Sequence, residues 1–167
     1  MANISQSLHN PGILKDVQIL VVDNDADTRY LCSILFENYG AKVIAFESVA
    51  DALALLDYSA PDILICETRF LDEDVWQLIQ RVKAMTISLQ RVIPILVASA
   101  YSLGKSEQDL KQDIDAHLLK PIDIDCLIDE VWNLIHLSNS ASQLNIQRWV
   151  INHKLWTKRH LAEANLI

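Results

Sequence analysis

Five short apolar runs punctuate the chain, and each is followed by a stretch in which apolar residues recur at helical spacing. The runs at 17–22, 41–46, 62–66, 93–98 and 115–119 have the length of strands. The first, Val17-Gln18-Ile19-Leu20-Val21-Val22, is almost continuously hydrophobic, as expected of a strand covered on both faces. Helices are predicted over 27–38, 49–58, 75–85, 103–111 and 124–137. In the first, Leu31, Ile34, Leu35 and Asn38 fall at helical spacing and Tyr39-Gly40 supplies a glycine cap. Ser48 caps the second, with Val49, Ala52, Leu53 and Leu56 on one face. The third turns Val75, Leu78, Ile79 and Val82 inward and leaves a rather long polar connection to Arg91. The fourth is short and weakly patterned. Asp123 caps the fifth, which buries Leu127, Ile128, Val131, Leu134 and Ile135.

This alternation predicts an α/β fold: a doubly wound parallel (βα)5 sheet of flavodoxin-like shape, built from right-handed crossovers. Residues 1–16 are polar, include Pro11-Gly12 and read as a flexible leader. Residues 17–137 form the domain, and 138–167 a C-terminal helical extension entered through a small, polar hinge at 138–143.

The chain has 167 residues, enough for one domain and an extension, and 51% are hydrophobic, which supports a substantial core. No uncharged apolar run reaches the roughly 18 residues of a membrane span, and no basic N-terminal segment leads into an apolar one, so a cytoplasmic protein is expected. Cys32, Cys66 and Cys126 lie far apart without metal-ligand spacing and read as buried or half-buried thiols. Charge is unevenly spread: residues 1–137 carry ten Lys/Arg against 21 Asp/Glu, and 138–167 carry four against one. Such an acidic body is a poor partner for nucleic acid. There is no GxGxxG after the first strand and no Walker-type phosphate loop, which removes the usual backbone cradle for a nucleotide.

Candidate chemistry gathers at the strand ends. Asp23, Glu67, Ser99 and Lys120 each end a predicted strand, and in open α/β sheets the ligand crevice lies outside those ends. The segments VVDND, PDILICE, PILVASA and DAHLLKP, in this order, resemble the successive signatures of a response-regulator receiver domain over residues 17–137. The resemblance implies a 2-1-3-4-5 strand order. It also implies an acidic pocket that holds Mg²⁺, an aspartate that takes a phosphoryl group from a histidine kinase or small donor, and a hydroxyl and a lysine that contact that group.

Carried over by position, Asp23 matches the first acid of the pocket, and Asn24 stands where a second is usual, with Asp25 beside it. Glu67 takes the phosphoacceptor position, Ser99 the hydroxyl, and Lys120 the lysine, followed by Pro121, for which the resemblance implies a cis bond. Asp23 and Glu67 are the candidate metal ligands, in a site weakened by the loss of one charge at Asn24. One extra methylene moves the acceptor oxygen of Glu67 by about 1.5 Å, an error that can cost a hundredfold in a reaction needing in-line approach. The same extension brings negative charge toward Ser99 and Lys120, and a Glu67–Lys120 ion pair is expected that partly imitates the phosphorylated pattern. His117 stands where the resemblance places an aromatic switch residue and adds a group that titrates near neutral pH. The loop Phe70-Leu71-Asp72-Glu73-Asp74-Val75 keeps an aspartate of the family's pattern but lacks its proline and glycines.

In the extension, Ile146, Trp149, His153 and Trp156 form an apolar seam with Leu144, Ile151 and Leu155 beside it. Such a face wants a protein partner, a second copy, or this domain itself, with the tryptophans as anchors. About 30 residues with four basic groups do not make a DNA-reading output domain, and membrane binding is not expected. The leading expectation is a pseudo-receiver: a non-enzymatic, phosphorylation-independent interaction module of two-component signalling, partnered by a histidine kinase or an output protein. Homodimerisation through the receiver face or the C-terminal helix is a further expectation. The alternative is a working phosphorelay regulator that accepts a phosphoryl group with Mg²⁺, on an acid such as Asp23 or Asp25. A flavodoxin-shaped binder or small enzyme is the third reading, disfavoured because the acidic segment after the first strand repels phosphate.

Overall fold

The computed structural model describes residues 11–104 and 108–140. Five strands, β1 (Gln18–Val22), β2 (Lys42–Phe46), β3 (Ile63–Cys66), β4 (Ile95–Ser99) and β5 (Ala116–Leu119), form one parallel sheet in the order β2-β1-β3-β4-β5. Between and after them run α1 (Ala26–Asn38), α2 (Val49–Leu56), α3 (Val75–Leu89), α4 (Gln108–Asp113) and α5 (Ile124–Ser140). This is the flavodoxin-like 2-1-3-4-5 topology.

The continuous hydrophobicity of β1, β3 and β4 has its cause in two cores, because successive side chains of each strand enter opposite layers. Leu20, Val22, Leu64, Cys66, Ile95 and Val97 pack with residues of α2, α3 and α4. Ile19, Val21, Ile63, Ile65, Leu96 and Ala98 pack with residues of α1 and α5. Side-chain oxygens start the helices: Asp25 accepts from the Asp27 N–H, Ser48 from Asp51, Asp74 from Trp76 and Asp123 from Cys126. Gly40, at φ +91°, lets the chain leave α1 in a backbone region that side chains disfavour.

Several expectations require correction. The inward face of α1 is Thr28, Cys32 and Phe36, while Ile34 is exposed; polar Thr28 and the thiol hid this seam. Helix α3 runs to Leu89, four residues beyond the expected end, which removes the long connection. Its last turn holds because the buried Thr86 hydroxyl accepts from the Ile93 N–H and so docks the turn against the chain leading into β4. Leu103 lies in the loop before α4 and is buried there. Helix α5 continues to Ser140, so 138–140 are helix and not hinge. The end of the leader is not loose: Leu14 is 1% exposed in the core, and its N–H donates to the Tyr39 carbonyl beside Gly40. Cys126 is exposed, whereas Cys32 and Cys66 are buried; burial pushes the Cys32 thiol up to about 12.

Candidate functional site

The parallel register brings four polar residues to one end of the sheet. Asp23 and Glu67 directly follow β1 and β3, Ser99 ends β4, and Lys120 directly follows β5. Their backbones extend the ladder: the Asp23 N–H donates to the Phe46 carbonyl, Glu67 to Val22 and Lys120 to Ser99. The side chains therefore leave from fixed points on neighbouring strands, and burial follows: Asp23 is 2% exposed, Glu67 4% and Ser99 0%.

Lys120 is the centre of this crevice. Its Nζ lies 2.7 Å from Asp23 Oδ2 and 3.1 Å from Glu67 Oε2, so one ammonium bridges two buried carboxylates. The remaining oxygens also have donors. Asp23 Oδ1 accepts from the Asp25 N–H at 2.8 Å. Glu67 Oε1 accepts from the Thr68 N–H at 2.6 Å, from the Thr68 hydroxyl at 3.2 Å and from the Arg69 N–H at 3.3 Å.

Protonation follows from these contacts. Burial works to raise Glu67, but the Thr68 N–H and the Lys120 ammonium more than offset it and hold the carboxyl below its ordinary 4.5. For Asp23 burial prevails over Lys120, and the group lies above 3.8. Burial works to lower Lys120, yet its two carboxylate partners hold it above 10.5. The contacts therefore favour the charged forms of Lys120 and Glu67, whereas burial works against the charge on Asp23.

The other expected residues are placed differently. Asn24 turns its amide to the Arg69 carbonyl, 3.0 Å away. Asp25 serves as the α1 cap and accepts from the Thr28 hydroxyl at 2.7 Å, so it does not make up for the missing second acid. Ser99 is among the side chains whose hydrogen bonding lowers Glu67, and its Oγ is 3.2 Å from the Thr68 hydroxyl and accepts from the Tyr101 N–H at 3.2 Å. The Lys120–Pro121 bond is cis, as the resemblance implied. His117 pairs with Val97 in the sheet, and its buried Nε2 has no hydrogen-bond partner among the described residues. Ile146, Trp149, His153 and Trp156 lie outside the described residues.

Sequence reasoning missed three participants. Thr68 links Glu67 to Ser99, and its only signal was a hydroxyl residue next to the strand-end acid. Arg29 donates to the Asp23 carbonyl at 2.7 Å, and the Arg69 guanidinium lies over the Tyr101 ring, 4.1 Å from its centroid.

A Mg²⁺ ion at these positions would have to displace the Lys120 ammonium. The oxygens of Asp23 and Glu67 that face the crevice are bound to Lys120, and Asn24 and Asp25 are engaged elsewhere. Among the described residues no group of three or more His, Cys, Asp or Glu side chains is disposed to hold a metal. Mg²⁺ demands near-octahedral oxygen ligation, and an ammonium between the two acids opposes it.

Residues 19–132 match the response regulator receiver domain. The chain belongs to that family. As a receiver domain it is a signalling module and not an enzyme in the ordinary sense. It is 32% identical over 111 residues to an uncharacterized 14.6 kDa protein in the sodA1 3' region of Leptolyngbya boryana, spanning 66% of this chain and 83% of that one. It is 30% identical over 145 residues to hybrid signal transduction histidine kinase D of Dictyostelium discoideum, spanning 82% of this chain but 9% of that kinase. It is 29% identical to the transcriptional regulatory protein ZraR of Salmonella typhimurium, spanning 77% of this chain and 29% of that regulator. The receiver thus corresponds to a small part of these two longer proteins.

Solved structures share the fold. The CheY-like receiver domain protein of Methanospirillum hungatei superimposes with a TM-score of 0.66 at 19% identity, covering 77% of this chain and all of that one, 100%. The receiver domain of a sensor histidine kinase of Pseudomonas aeruginosa, solved with a magnesium ion coordinated in its active site cleft, gives 0.62 at 19%, covering 72% and 98%. No helix among the described residues is long and apolar enough to cross a membrane.

Proposed function

We propose that this receiver works without phosphorylation, as a protein-interaction module of two-component signalling whose pocket charge is supplied by Glu67. The observation that carries this reading is the bridge made by Lys120 between Glu67 and Asp23. A carboxylate already holds the lysine that the family's pattern assigns to a phosphoryl group, and its second oxygen is tied down by the Thr68 and Arg69 amides. The longer side chain also shifts the acceptor from the position an in-line transfer needs. Partners of this module are a histidine kinase or a signalling output protein.

A second reading is a phosphorylatable regulator, and the relatives favour it: they carry the names of transcriptional regulators and histidine kinases. The magnesium ion in the Pseudomonas aeruginosa receiver points the same way. In this chain that reading requires Asp23 and Glu67 to release Lys120. Beryllium fluoride, a phosphoryl mimic, separates the two readings. With Mg²⁺ it leaves the amide spectrum of the wild type unchanged and shifts that of Glu67→Asp under the first reading; a response of wild-type pocket residues supports the second.

A further inference from the structure

Arg69 is the point at which three loops of the crevice meet. Its N–H donates to Glu67 Oε1 at 3.3 Å, its carbonyl accepts from the Asn24 side-chain amide at 3.0 Å, and its guanidinium lies over the Tyr101 ring, 4.1 Å from the centroid. Asn24 belongs to the loop after β1, Arg69 to the loop after β3 and Tyr101 to the loop after β4. The contact at Asn24 depends on its chemistry. A carboxamide carries two N–H donors, whereas an ionised carboxylate of the same shape only accepts and repels a carbonyl oxygen. An ionised aspartate, the residue usual at this position in the receiver pattern, therefore cannot make it.

We infer that Asn24 is a positioning residue, whose amide fastens the loop after β3 and, through Arg69, ties it to Tyr101 as a strap beside Glu67. The inference rests on the proposed reading of Glu67 as the standing charge of the pocket. Glu67 Oε1 takes its backbone donors from Thr68 and Arg69, so the strap holds the segment that supplies them and leaves Oε2 to Lys120. Arg69 itself is exposed, so its place is set by these polar contacts and not by packing in the core. The cation–π contact with Tyr101 closes the strap on its far side. The departures at positions 24 and 67 thus belong together: a glutamate that reaches Lys120, and an amide that keeps the donors of its other oxygen in place.

The test is amide hydrogen exchange of the full chain, with the Tyr101 ring resonances as a second readout, in wild type, Asn24→Ala, Asn24→Asp and Arg69→Leu. Asn24 is exposed, so its variants are expected to fold. Both are expected to speed exchange at the Arg69 amide by about fivefold, the effect of one hydrogen bond, while the amides of β4 keep their protection. In both, the Tyr101 ring resonances move toward those of Arg69→Leu, which lacks the guanidinium. Wild-type protection at Arg69 in either variant, an equal loss of protection in β4, or an unmoved Tyr101 ring overturns the inference. Phosphoryl uptake by the wild type would sink the proposed function by itself, whereas the strap is judged by exchange at Arg69.

Discussion

Lys120 and Glu67 meet across the crevice, Nζ to Oε2 at 3.1 Å, although the acid is one methylene longer than the aspartate of the receiver pattern. The same ammonium is 2.7 Å from Asp23, so removing it leaves two buried carboxylates without their shared cation. Replacing a buried pair by apolar groups can be neutral, but deleting one partner is not.

Lys120→Met is therefore expected to destabilise the domain by about 3 kcal/mol. Urea unfolding measures it, as a lowered midpoint with an unchanged slope. A loss below about 1 kcal/mol, the range of exposed ion pairs, would mean that the bridge is solvated.

Acid titration isolates Glu67. Its folded pKa lies below 4.5, so its contribution to stability is complete above pH 4.5 and is lost as pH falls through the folded value. Asp23 has the opposite sign: raised above 3.8, it disfavours folding when ionised and eases folding on acidification. Glu67→Gln removes the first contribution and also relieves the repulsion that helps to raise Asp23. The stability advantage of wild type over this variant is expected to shrink as pH drops below 4.5, and an advantage that widens there would contradict the assignment.

The sheet and the four strand-end residues were legible because both obey strong local rules: apolar runs covered on two faces, and a polar residue where each run stops. What escaped the sequence depended on contacts between distant segments. Thr28 and Cys32 carry the buried seam of α1 with Phe36, a pattern in which only one residue is plainly apolar. Thr86 extends α3 through a hydrogen bond to Ile93, and nothing in the helical period announces it. The Thr68 hydroxyl beside Ser99 was not foreseen, since Thr68 belongs to another strand end.

Leu14 is the clearest case of a segment whose sequence reads as loose and whose side chain is not. It packs in the same core as Ile19, Phe36 and Ile135. Leu14→Ala is expected to cost about 3 kcal/mol through lost burial and the cavity left behind, as measured by chemical denaturation. A change within about 0.5 kcal/mol, ordinary for a surface position, would show that this segment does not contribute to the core.

We propose that the glutamate at position 67 is what silences phosphotransfer in this receiver pocket. Intact-protein mass after incubation with Mg²⁺ and acetyl phosphate, for wild type beside Glu67→Asp, tests it most directly. An added phosphoryl group is expected on Glu67→Asp and none on the wild type; a phosphoryl group on the wild type would overturn the proposal.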